Sequence, residues 1–73
     1  MQISEASKIL RDMYQKADPK EKALSIHLFG IKYAHYITNM SAKDIIVGAE
    51  LPESYKTELR KGINLAKYVQ VKP

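Results

Sequence analysis

The stretch SAKDIIVGAELPESYKTELRK, residues 41–61, decides the architecture. Ser41 is a strong N-cap with Asp44 three residues on, so a helix starts at Ala42 and runs to about Ala49. Ile45, Ile46 and Ala49 recur on one side of it and face inward. Leu51-Pro52 stops it, because proline disfavours a helical residue before it and cannot continue a helix. Pro52 or Glu53 begins the next helix. Along that helix Tyr55, Leu59, Ile63, Ala66 and Val69 line one side. Lys56, Arg60, Asn64 and Lys67 line the other, at steps of four, four and three. Gly62 either ends this helix, leaving Asn64 to Val69 as a short fifth turn, or lies within it. The spacing Leu59, Ile63, Ala66 continues without a phase break. It favours a helix that runs through, despite the ~1 kcal/mol that a mid-helix glycine costs.

Two helices precede this pair. Ser4 reads as an N-cap with Glu5 in the positively polarised first turn. Ala6, Ile9, Leu10, Met13 and Ala17 then recur at helical spacing, giving a first helix from about Glu5 to Lys16. Asp18-Pro19-Lys20-Glu21 is a stop and restart: Asp18 as cap, Pro19 at the first helical position, Glu21 closing a capping box. The second helix runs to about Thr38, with Asn39 in a left-handed conformation ending it. It carries two apolar stripes. One is Leu24, Leu28 and Ile31, flanked by His27, Ala34 and His35. The other is Ile26, Phe29, Tyr33, Tyr36 and Ile37. Ser25 and Lys32 leave the only clearly polar wedge. A helix apolar on most sides is central to its domain, or else offers its second stripe to a partner. The fold expected is all-α, a small bundle of four helices, with a fifth if Gly62 is a terminus.

At 73 residues the chain has room for one domain, residues 1–73, and one modest core. A chain of this size buries only about 60% of its unfolded surface, so a partner or second copy matters for stability. The absence of cysteine rules out disulfide and thiolate chemistry and suits a reducing compartment. No apolar run approaches the ~20 residues that span a bilayer, and the first residues lack a signal-peptide layout. A soluble, cytoplasmic, membrane-free protein is expected. Residues 71–73 read as a tail or the start of a linker within a larger protein.

The net charge of +4 is unevenly placed. From Met1 to Glu53 seven cations face seven carboxylates, whereas from Ser54 onward Lys56, Arg60, Lys61, Lys67 and Lys72 face only Glu58. An amphipathic helix with a basic outer side, set after a short helix and a tight turn, is how small domains present a reading element to DNA. The same pattern also describes a solvated surface that happens to be basic.

Residues 41–61 resemble a helix-turn-helix. Asp44-Ile45-Ile46 supplies its inward pair. Ala49-Glu50-Leu51-Pro52-Glu53-Ser54 is similar to the Gly-Leu-Pro-x-Ser turn frequent in bacterial regulators of that class, and Leu59 sits where their recognition helix packs back. The chain departs from the pattern at two places. Glu50 stands where glycine is usual, which costs strain if its φ is positive. Lys56 stands where an apolar residue is usual, unless a small rotation lets Tyr55 fill the core. The resemblance implies double-stranded DNA as partner, read through Ser54, Lys56, Thr57, Arg60, Lys61, Asn64 and Lys67. Arg60 would contact guanine, and Lys56, Lys61 and Lys67 phosphate. A few phosphate contacts give weak binding, so a homodimer or larger parent protein is implied.

No catalytic function, cofactor or metal is expected. His27 and His35 lie eight apart with no cysteine and no matching acidic ligand. The serines read as caps rather than nucleophiles, and the glycines are isolated, so no phosphate-cradling loop exists. The alternative to DNA binding is a helical protein-interaction or dimerisation module, presenting Ile26, Phe29, Tyr33 and Tyr36 as an aromatic interface.

Overall fold

A computed structural model describes residues 1–71. Helices α1 (Ile3–Lys16), α2 (Lys22–Ile37), α3 (Ala42–Gly48) and α4 (Lys56–Leu65) are joined by turns, with single 3₁₀ turns at Pro19–Glu21 and Glu53–Tyr55. All four helices contribute to one core. Its largest fully buried side chains are Leu10 of α1, Ile26, Phe29 and Ile37 of α2, Ile45 and Ile46 of α3, and Leu59 of α4. Val71 lies outside any helix, and the rest of the expected tail, Lys72 and Pro73, falls outside the described residues.

Three expected caps are not made. Helix α1 begins before Ser4, with Gln2 at its N-cap accepting from the Ala6 amide at 3.0 Å. Ser4 therefore lies inside the first turn. Asp18 takes the extended conformation that the following proline imposes, but its side chain caps nothing. The C-terminal end of α1 is closed by Lys22, whose Nζ donates to the Tyr14 carbonyl at 2.6 Å and the Gln15 carbonyl at 3.3 Å. Asn39 is not left-handed, since Glu50 is the only non-glycine residue with positive φ among the described residues. Helix α2 ends through the Met40 amide bonding back to the Ile37 carbonyl at 2.9 Å.

Helix α2 resolves its two stripes in favour of Ile26, Phe29, Tyr33 and Ile37, which enter the core. Leu24 is left exposed, with Leu28 and Ile31 half-buried. Ser25 is no polar wedge. It is buried, and its hydroxyl is satisfied by the Lys22 carbonyl of its own helix. Ser7 is the other buried hydroxyl, and it donates to the Ile45 carbonyl at 3.0 Å, pinning α1 to α3.

The closest helix contact joins α2 and α4. A Cβ on Gly30 would lie 2.9 Å from the Ile63 nitrogen, and one on Gly62 would lie 2.6 Å from the His27 carbonyl oxygen. One turn earlier the His27 Nε2 meets the Glu58 carboxylate. These pairings, 27 with 58 and 30 with 62, make α2 and α4 parallel. The two helices share a pattern at this crossing, GIKYAHY at residues 30–36 and GINLAKY at residues 62–68. Small residues at Gly30 and Ala34, and again at Gly62 and Ala66, sit one turn apart on the facing sides.

Candidate nucleic-acid interface

The pair α3–α4 forms as its residues dictate. The Asp44 amide donates to Ser41 Oγ at 3.2 Å, capping α3. At its far end the Glu50 amide bonds the Val47 carbonyl at 3.0 Å and the Leu51 amide bonds the Ile46 carbonyl at 3.1 Å. That pattern is a Schellman termination, and it requires a left-handed residue at Glu50, where φ is 61°. The strain expected for a glutamate at this glycine position is thus present. Its carboxylate gains one contact in return, a 2.9 Å ion pair with Arg11 of α1. Pro52 then sets the extended link to the 3₁₀ turn that leads into α4.

Helix α4 runs through Gly62, as its apolar spacing predicts. Tyr55 turns inward and meets the Tyr14 ring edge-on at 5.8 Å. Hydrogen bonding with Tyr55, and then burial, raises the Tyr14 phenol above its ordinary value. Lys56 is not released by this rotation. It is half-buried at the helix margin, with Nζ 3.4 Å from Glu53, a carboxylate that also lies 3.8 Å from Lys43.

The outward face of α4 differs from the line read in the sequence. With Leu59 and Gly62 buried, the residues opposite them are Thr57, Arg60, Lys61 and Asn64, all exposed. Ser54 is exposed on the 3₁₀ turn just ahead of them. Lys67 follows the helix end at Leu65 and Val69 is exposed, so neither continues its expected row. Arg60 pairs with no carboxylate among the described residues. Lys61 lies 3.9 Å from Glu58, a weak contact because it is long and the lysine is exposed to solvent.

The alternative aromatic interface loses its centre. Ile26 and Phe29 are fully buried, Tyr33 is half-buried against Phe29 at 5.3 Å, and only Tyr36 is exposed. The contacts of Glu50 with Arg11 and Glu58 with His27 join residues 39 and 31 apart, and no local pattern announces either.

A domain whose described residues form four helices and no strand, with a capped short helix, a left-handed turn and an exposed helix behind it, is a helix-turn-helix domain. The chain belongs to the HTH-like domain family, whose sequence model matches residues 2–72. The family unit therefore includes α1 and α2 as well as the motif itself. No curated protein and no solved structure matches the chain. No helix of the described residues is long and apolar enough to cross a membrane.

Proposed function

We propose that this domain binds double-stranded DNA as a regulatory or accessory, non-catalytic module in the cytoplasm, with α4 as its reading helix. The observation that carries the reading is Arg60, an unpaired guanidinium on the exposed face that it shares with Thr57, Lys61 and Asn64. Its planar fork matches the O6 and N7 acceptors of guanine in the major groove. Ser54 at the start of the segment, Lys61 on the outward face, and Lys56 and Lys67 at its margins suit phosphate contacts that fix register without reading sequence. Membership of the HTH-like family and the excess of cations after residue 54 support it further. Three or four such contacts leave a single copy weak, so the module works as a homodimer or within a larger protein.

The test is anisotropy of a labelled duplex titrated with the protein across a salt series. Binding should weaken with a log–log slope of roughly −3 to −4. Arg60→Ala should lower affinity roughly tenfold or more for the preferred site. Failure to bind any duplex at low salt overturns the reading.

A further inference from the structure

Beyond the Gly30–Gly62 crossing, α2 and the end of α4 diverge and leave an open groove of about 840 Å³, with residues 68–71 adding to its lining. Equivalent positions of the shared pattern line both walls. Ile31 and Ala34 face it from α2, Ile63 and Ala66 from α4, and Val69 completes the apolar lining. Three exposed basic residues, Lys32, His35 and Lys67, stand around this apolar lining, and no aspartate or glutamate lines the groove. Lys32 and Lys67 pair with no carboxylate among the described residues. Two of the lining side chains are themselves exposed, Tyr68 at 83% and Val69 at 49%.

We propose that this groove docks an acidic amphipathic helix of a partner protein. A third helix is the element that fills the space between two diverging helices, by ridges into grooves. The described residues contain no strand whose edge would take an extended peptide. The apolar lining accepts a stripe of aliphatic side chains, and Lys32, His35 and Lys67 meet carboxylates flanking that stripe. A symmetric contact with a second copy would bring these like charges together. A nucleic acid backbone would leave the apolar lining unmatched. Asn64 and Lys67 border both this groove and the DNA surface, whereas Lys32 and His35 lie on α2, away from the outward face of α4, so substitutions at these two separate the inference from the DNA reading.

The experiment titrates the full chain with a fluorescein-labelled 16-residue helical peptide bearing one Leu/Ala stripe flanked by glutamates. A twin with lysine in place of glutamate serves as control, and amide NMR shifts locate the contact. Saturable binding of the acidic peptide is expected, with shifts at Ile31, Ala34, Ala66 and Val69 and at least about tenfold weaker binding of the basic twin. Lys32→Glu/His35→Glu should reverse that preference while duplex affinity and the circular dichroism spectrum stay unchanged. Equal binding of both peptides overturns the proposal, as does no binding of either or shifts confined to the start of α4. Occupation of the groove instead by oleate vesicles, by duplex DNA, or by a second copy in sedimentation equilibrium overturns it equally.

Discussion

Gly30 and Gly62 touch backbone to backbone, with the site of a Cβ on Gly62 only 3.2 Å from the Gly30 Cα. No other residue fits either position without moving a main chain, and the mutual distance of α2 and α4 is set here. Gly62→Ala gains up to ~1 kcal/mol of helix propensity but forces its methyl onto the His27 carbonyl. Overpacking of this kind costs about 1–3 kcal/mol, so urea denaturation should show a net loss of stability for Gly62→Ala and for Gly30→Ala.

Glu50 gives a cleaner measure of backbone strain. Glu50→Ala and Glu50→Gly both remove the exposed Arg11 pair, but only glycine relieves the left-handed conformation. The glycine variant should exceed the alanine variant by about 1 kcal/mol in chemical denaturation. Glu50→Gln, which removes charge alone, should change stability by less than about 1 kcal/mol.

Carboxylates temper the basic face. Glu58→Gln keeps a hydrogen-bond acceptor for His27 and removes the charge beside Lys61. Duplex affinity should rise a few-fold at low salt, and the gain should shrink as screening increases. Equal affinity at every salt concentration would place Lys61 away from the nucleic acid.

Arg60→Lys separates reading from attraction. The charge remains, so affinity for random duplex and its salt slope should hardly change. The bidentate fork is lost, so preference for the selected site should fall roughly tenfold. Competition between specific and random duplex measures the ratio directly.

Tyr14 offers a pH test of the contact between α1 and the 3₁₀ turn that precedes α4. Its phenol is raised from 10.0 chiefly by the hydrogen bond with Tyr55, so the fold favours the protonated form. That contribution is complete below the ordinary phenol range and is lost as pH climbs through the raised value. In Tyr55→Phe, absorbance at the tyrosinate band should show one fewer late-titrating phenol.

The segment 41–61 was the most legible part of the chain because its signals are local and agree. Ser41 caps, Glu50 takes the left-handed turn, Pro52 breaks the helix, and the inward side chains follow helical spacing. Ser4, Asp18 and Asn39 carry similar cap chemistry but are not used, since neighbouring backbone bonds meet those ends first. Helix α2 was ambiguous for a different reason. Both its stripes are apolar, so periodicity alone does not choose between them, and the choice falls to Gly30, which must face Gly62. Of the outward row expected along α4, Arg60 and Asn64 are exposed on the helix, and only its two ends depart from it. Lys56 and Lys67 share a helical row with Arg60, but the first sits at the margin beside Glu53 and the second lies past the helix end.

Parallel helices cannot be joined by a hairpin, and the chain between α2 and α4 must travel back nearly a helix length before α4 can start. Helix α3 is that return path. The side chains that α4 offers to solvent are therefore aligned only after α3 has docked on α1 and the distant halves of the chain have met. Their geometry is an all-or-none property of the folded domain: a ligand that recognises it senses global folding, and in binding shifts the whole unfolding equilibrium rather than the stability of one helix.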